Sequence, residues 1–274
     1  MNRGNIVDFG YNYKELLHSI NPHKKLGQNF LINVNIAKEE ANFAADKKVI
    51  EIGPGFGILT NELCKNASKV IAIEKDARLF DILSSNLKCK KLKLVNKDFF
   101  DVEKSILKDY DIVIANIPYN LSSKIILWLS KNSMPALLCL QKEFVEHMLA
   151  KHGMHNYSKL SVVSSLYFKI TKVFDVPASS FYPKPKVDSS VVLIKPIENN
   201  IRDDEINVIS LLMMHKKKSL RNALADSSSQ LNKQKNELRG IADSLNEKDT
   251  KIFTMSPNKI LAISKEILKQ LNQK

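Results

Sequence analysis

The sequence predicts an α/β protein built on a mostly parallel sheet, followed by a small α-helical domain. Three observations carry this. Short, continuously apolar runs alternate with helical patterns between Val49 and Ala150, as in parallel strands buried on both faces. The first run, Val49-Ile50-Glu51-Ile52, passes directly into Gly53-Pro54-Gly55-Phe56-Gly57 and then a helix, which is how such folds open a ligand crevice at a strand's carboxyl end. Beyond Pro196 the strands cease, Glu198–Asp204 is polar, and apolar residues recur at helical spacing.

Residues 1–22 are polar and mixed and read as an extension with one short amphipathic helix over Lys14–Ile20. The stretch His23-Lys24-Lys25-Leu26-Gly27-Gln28-Asn29-Phe30-Leu31 joins lysines to two amides, which suit a ligand that both donates and accepts hydrogen bonds. Helical spacing over Ile36–Ala45 leads into strand Val49–Ile52 and helix Ile58–Lys65. Strand Val70–Ile73 precedes helix Ala77–Leu87, and strand Leu92–Val95 leads to Asp98. Strand Ile112–Ala115 leads to Asn116 and helix Ser123–Ser130, then strand Ala136–Leu140 and helix Glu143–Ala150. Leu166–Val176 is strand-like up to Pro177, and Ser190–Ile194 closes the sheet after a loop stiffened by Pro183 and Pro185. In the last region Ile206, Ile209, Met213, Leu220 and Leu224 predict one helix, which also carries His215, Lys216, Lys217, Lys218 and Arg221. A helix over Lys233–Leu245 follows, and Ser256-Pro257 starts the last one as cap and first residue. The expected divisions are therefore 1–22, 23–198 and 199–274.

Composition narrows the function classes. The 274 residues can bury a substantial core. Lys and Arg exceed Asp and Glu by 42 to 29, a net charge of +13, which points to a polyanionic partner, most often nucleic acid. Nothing resembles a signal peptide or a membrane span, so a cytoplasmic location without membrane contact is expected. Cys64, Cys89 and Cys139 are far apart and form no C-x-x-C, so they read as buried thiols and not as a disulfide or zinc site. His147, His152 and His155 have no ligand companions at metal-cage spacing, and no metal is expected.

The glycine turn admits more than one ligand. Dinucleotide folds use G-x-G-x-x-G, whose last position here is Ile58. Glu51-Ile52-Gly53-Pro54-Gly55-Phe56-Gly57 instead has the E-x-G-x-G-x-G form common in enzymes that use S-adenosylmethionine, and a plain strand-to-helix turn is the bland alternative. Ligand residues at strand ends would be Gly53, Glu74, Asp98 and Asn116. Glu74, 21 residues past Gly53, is placed to accept both hydroxyls of a ribose. Asp98 can accept from an adenine amine, with Phe99 as an apolar wall.

Asn116-Ile117-Pro118-Tyr119 is the most specific stretch. An adenine amine is a weak nucleophile because its lone pair is delocalised into the ring. Two acceptors binding its N–H groups favour a pyramidal, more reactive nitrogen: the Asn116 side-chain oxygen and the Ile117 carbonyl. Pro118 stiffens the turn, and Tyr119 offers a face on which a flipped base can stack.

These motifs resemble the ribosomal RNA adenine N6,N6-dimethyltransferases of the KsgA type, which act on the small subunit. The resemblance runs from Lys24 into the C-terminal domain. It rests on Gly27-Gln28-Asn29-Phe30-Leu31, Glu51-Ile52-Gly53-Pro54-Gly55, Asn116-Ile117-Pro118-Tyr119, Gln141-Lys142-Glu143 and Phe181-Tyr182-Pro183-Lys184-Pro185-Lys186-Val187-Asp188-Ser189, in that order. It implies a Rossmann-like S-adenosylmethionine methyltransferase fold with a seven-stranded, mostly parallel sheet and a small C-terminal helical domain. It implies that Gln28, Asn29, Leu31, Gly53, Glu74, Asp98 and Asn116, with Gly55 in the turn, hold S-adenosylmethionine. Tyr119 and Phe181 would flank the target adenine. The implied reaction places four methyl groups on two adjacent adenines near the 3′ end of small-subunit rRNA, in the assembling particle, by a monomer. Ile117 stands where many relatives carry Leu, a conservative change where the carbonyl acts. Candidate RNA contacts are Lys24, Lys25, Lys184, Lys186, Lys216, Lys217, Lys218 and Arg221. The rival readings are a large-subunit rRNA adenine methyltransferase of the antibiotic-resistance type and a non-catalytic assembly or nucleic-acid-binding factor. A nicotinamide-dependent oxidoreductase is disfavoured by Ile58 and by Asn116–Tyr119.

Overall fold

The computed structural model describes residues 21–23 and 27–272. The expected helix over Lys14–Ile20 and the candidate RNA contacts Lys24 and Lys25 lie outside the described residues.

A seven-stranded sheet forms the centre of the fold. Its strands are β2 (Lys48–Ile52), β3 (Lys69–Glu74), β4 (Leu92–Asn96), β5 (Ile112–Asn116), β6 (Ala136–Gln141), β7 (Phe168–Val176) and β9 (Ser189–Pro196), in the order β4-β3-β2-β5-β6-β9-β7. The first five are mutually parallel, and β9 runs antiparallel to β6. Beyond their first residue β2 and β3 are buried throughout, the pattern expected of strands covered on both faces. Chain order reverses at β2: β3 lies on one side and β5, a later strand, on the other. That switch point is where the crevice of an open α/β sheet forms.

The remaining strands, β1 (Phe30–Leu31) and β8 (Phe181–Tyr182), form an antiparallel pair with Phe30 opposite Tyr182 and Leu31 opposite Phe181. The helices of this part are α1 (Val34–Ala41), α2 (Ile58–Asn66), α3 (Ala77–Asn86), α4 (Lys104–Leu107) and α5 (Ser122–Asn132). α1 starts where the Asn33 side chain accepts from the Asn35 and Ile36 N–H groups, a cap that satisfies otherwise orphaned donors. Its buried residues Ile36, Ala37, Glu40 and Ala41 form one stripe, with a carboxyl group among the apolar side chains.

The chain separates into two compact units. One runs to Lys142 and resumes for Thr171–Pro196; the other takes Glu143–Ile170 and returns at Ile197. The second unit contains most of α6 (Lys142–Leu149), α7 (Lys159–Tyr167), α8 (Asp203–Met214), α9 (Leu220–Asp226), α10 (Ser228–Leu231), α11 (Lys235–Asp243) and α12 (Pro257–Asn272). Its core gathers Tyr157, Val162 and Leu166 with Leu212, Leu238 and Ile260. Residues 143–170 therefore pack with the C-terminal helices, a division that the polar stretch after Pro196 does not reveal.

Three expectations are corrected. The helix expected to carry His215–Lys218 and Arg221 is two helices. α8 ends at Met214, and α9 begins after Ser219, whose extended backbone forms an isolated antiparallel bridge with Lys251. Apolar spacing persists across the break because Met213 and Leu220 both enter the same core. The strand-like reading of Leu166–Val176 begins too early, since α7 runs through Tyr167. Ser158 and Ser161 start α7 with a reciprocal cap, the Ser158 N–H donating to Ser161 Oγ at 2.9 Å. Finally, Cys64 and Cys89 form a disulfide with Cα atoms 6.4 Å apart, within the usual range. They are 25 residues apart in the chain, but the crossing from α2 through β3 to β4 brings the end of α2 beside the loop before β4. Cys139 alone is free, and buried.

Candidate active site

The site grows from the turn between β2 and α2. Gly53 has φ +65° and nothing within 4 Å of where a Cβ would stand, so its backbone faces open space. Gly55 has φ +59°, and a Cβ there would lie 2.9 Å from the Phe30 ring. Glycine is needed at this position for conformation and for room.

Glu74 ends β3 and is buried, 6% exposed. The Gly55 N–H donates to its Oε2 at 3.2 Å and the Asp76 N–H to its Oε1 at 2.9 Å. Burial raises its pKa above the usual carboxylate range, against the pull of those two N–H groups. The two donors fix the carboxylate while leaving lone pairs for a ligand's hydroxyls. Asp98 follows β4. Its Oδ1 accepts from the Phe100 N–H at 3.0 Å and its Oδ2 from Lys75 Nζ at 2.9 Å. Burial pushes the Asp98 pKa upward, but Lys75 and the Phe100 N–H outweigh it and hold the group below its ordinary value.

Gln28, Asn29, Gly53, Gly55, Glu74, Asp98, Asn116 and Pro118 line one cavity of about 210 Å³, together with Lys75, Phe99 and Asn120. Gln28 is held at both ends of its amide: Nε2 donates to Asp76 Oδ2 at 3.0 Å, and Oε1 accepts from the His23 N–H at 2.7 Å. Leu31 is not part of this cavity. It is buried and lines a smaller recess with Glu51, Gly53, Pro54 and Asn116.

Asn116 is the last residue of β5 and borders the main cavity and both neighbouring recesses. Its Nδ2 donates to Glu40 Oε2 at 2.9 Å, while its Oδ1 is buried with no hydrogen-bond partner. The Ile117 side chain is buried and its N–H donates to the Cys139 carbonyl at 3.3 Å. The Tyr119 hydroxyl lies 2.9 Å from Ser189 Oγ. Asn116, Ile117, Pro118, Tyr119 and Phe181 converge on one recess of about 10 Å³, which holds no more than a water. Phe181 is only 5% exposed, so a flat base can enter between these rings only if they move apart.

The candidate RNA contacts belong to separate units. Lys184 and Lys186 are exposed on the loop after β8, and Lys217 is exposed between α8 and α9. Lys216 Nζ donates to the carbonyls of His155 and Tyr157, Lys218 pairs with Asp226, and Arg221 pairs with Asp243. Among the described residues no cluster of three or more His, Cys, Asp or Glu is arranged for a metal ion, and no helix is long and apolar enough to cross a membrane.

The residue that sequence reasoning missed at this site is Glu40. The signal was available: Ile36, Ala37, Glu40, Ala41 and Ala44 share one helical stripe, where an acid is out of place.

Comparison with known proteins finds a matching family. Residues 19–267 match the family described as ribosomal RNA adenine dimethylase. A probable ribosomal RNA small subunit methyltransferase A of Pyrococcus furiosus is 35% identical, over 92% of this chain and 94% of its own. A ribosomal RNA small subunit methyltransferase A of Mycoplasma mobile is 41% identical, over 69% of this chain and 75% of its own. The crystal structure of a dimethyladenosine transferase from Plasmodium falciparum superposes with a TM-score of 0.74 at 30% identity, covering 88% of this chain and 98% of that one. The 23S rRNA methyltransferase ErmE, at 23% identity and a TM-score of 0.56, covering 87% of this chain and 99% of its own, shares the fold.

Proposed function

Since the chain belongs to the ribosomal RNA adenine dimethylase family, we propose that it transfers methyl groups from S-adenosylmethionine to N6 of two adjacent adenines near the 3′ end of small-subunit rRNA. The single observation that carries this reading is Asn116. Its unpartnered amide oxygen belongs to a residue lining the same cavity as Gly53, Glu74 and Asp98.

The residues present fit the methyl donor. The backbone at Gly53 is open to close approach, the fixed Glu74 carboxylate suits ribose hydroxyls, and the remaining acceptor capacity of Asp98 suits an adenine amine. When bound, the cofactor supplies an electrophilic methyl group on a sulfonium. The chain's own work is placement. Asn116 Oδ1 and the Ile117 carbonyl take the N–H groups of the target amine and orient its lone pair, so most of the acceleration comes from positioning. Tyr119 and Phe181 part to receive the flipped base and hold it by stacking. Relatives named for the small subunit support that substrate. The proposal further places the reaction on the assembling particle and gives it to a monomer. Lys184, Lys186 and Lys217 supply contacts to the RNA backbone.

The test is mass spectrometry of adenines after incubating the full chain with S-adenosylmethionine and unmethylated small subunits, with naked large-subunit rRNA in parallel. Dimethyladenosine confined to two adjacent small-subunit positions is expected. Calorimetric binding of S-adenosylmethionine without methyl transfer, or transfer to the large-subunit RNA alone, overturns the proposal.

A further inference from the structure

An asparagine amide presents nearly the same shape with its oxygen and nitrogen exchanged, and only its partners decide which atom faces which way. At Asn116 the choice is decisive. A target amine needs an acceptor there, and the reversed amide would set donor against donor. The group that settles the orientation is Glu40, through the 2.9 Å bond from Asn116 Nδ2 to Glu40 Oε2.

Glu40 is an expensive residue at its position. It is 1% exposed, shares the buried stripe of α1 with Ile36, Ala37 and Ala41, and its Oε1 has no partner. Among the described residues no lysine or arginine pairs with it; the titratable groups nearby are Glu39 on α1, Glu51 on β2 and Cys139 on β6. A leucine would fill such a site at lower cost, because a buried carboxyl group with one hydrogen bond loses more in desolvation than it regains. Its one bond goes to the amide at the tip of β5.

We infer that Glu40 is a positioning residue for methyl transfer: by accepting from Asn116 Nδ2 it locks the amide so that Oδ1 is left to accept from the target amine. This rests on the methyltransferase reading above and adds to it a residue of α1 that acts through Asn116 and not on the substrate. The acceptor oxygen is what matters, so glutamine, which keeps one, preserves the function, and leucine does not.

The experiment measures single-turnover methyl transfer to unmethylated small subunits by wild type, Glu40→Leu, Glu40→Gln, Asn116→Ala and the Glu40→Leu/Asn116→Ala double variant. S-adenosylmethionine affinity is measured by calorimetry alongside. Glu40→Leu should lower the rate roughly 10- to 100-fold with cofactor affinity and melting temperature held or raised. Glu40→Gln should recover most of the wild-type rate. In the Asn116→Ala background Glu40→Leu should have no further effect. A fully active Glu40→Leu, an inactive Glu40→Gln, or additive losses in the double variant would overturn the inference. Absence of transfer by wild type would instead overturn the methyltransferase reading. The side-chain 15N–1H signals of Asn116 in the wild type need no variant to fold. One proton shifted downfield and slow to exchange is expected; two protons exchanging alike at the solvent rate contradict the bond.

Discussion

Asn116 and the carboxyl groups behind it set what single residues should do. Asn116→Ala removes the acceptor that activates the amine, and the loss should resemble that of a preorganised hydrogen-bonding group, roughly 100-fold or more in rate. A single-turnover assay checks it, and a rate within a few-fold of wild type would argue for a binding role. Glu40 and Glu51 also make stability depend on pH. Burial pushes both up to about 8 from an ordinary 4.5; the Asn116 bond opposes this at Glu40, and Glu74 adds to it at Glu51. The folded chain therefore keeps protons that the unfolded chain releases above about pH 4.5, so the contribution to stability is greatest below that pH and is lost as pH rises to about 8. Asp76, held down to about 2 chiefly by Arg78, acts in the opposite sense but only below pH 4. Melting temperature should fall by roughly several degrees between pH 5 and 8.5, and Glu51→Gln should flatten the slope; a rising melting temperature contradicts the burial. The strand-end acids and Asn116 were legible because strand ends are marked by sequence. The bond to Glu40 was not, since it joins residues 76 apart and only packing brings them together.

At the scale of elements, the glycine turn works because β1 closes over it. Phe30 lies across Gly55 and packs edge-on against Phe56, ring centres 4.5 Å apart. Gly55→Ala must hold φ near +59° and displace the Phe30 ring; the backbone conformation alone costs about 1–2 kcal/mol. A lower melting temperature and weaker S-adenosylmethionine binding are expected together, read by thermal melts and calorimetry, and unchanged values in both would show that the turn can relax. The alternating strands and helices were readable because β2, β3, β5 and β6 are buried along nearly their whole length, whereas β4 and β7 are largely open to solvent. The break between α8 and α9 was not, because Met213 and Leu220 keep helical spacing while feeding one core from two helices. The Cys64–Cys89 pair was hidden for a related reason: the β–α–β crossing, and not chain distance, makes them neighbours.

For the whole molecule the controlling quantity is the excess of 13 positive charges. RNA affinity should fall steeply with salt, because each phosphate neutralised releases a counterion. The total charge says nothing of which lysines carry the effect; what each touches does. Lys184, Lys186 and Lys217 are exposed and end in solvent, so replacing any one by alanine should reduce the slope of log affinity against log salt by about 0.7–0.9 without changing the melting temperature. Lys216 is half-buried, with its ammonium committed to the carbonyls of His155 and Tyr157. Lys216→Ala should leave the slope nearly intact and lower the melting temperature, since it removes a charge-assisted tie within the helical unit. Filter binding of small-subunit RNA across a salt series, with thermal melts of the same variants, separates the two classes. A reversed pattern, with Lys216 setting the slope and the exposed lysines setting stability, would mean that the RNA is gripped where the protein holds itself together, and the basic loop after β8 would lose its place in the interface.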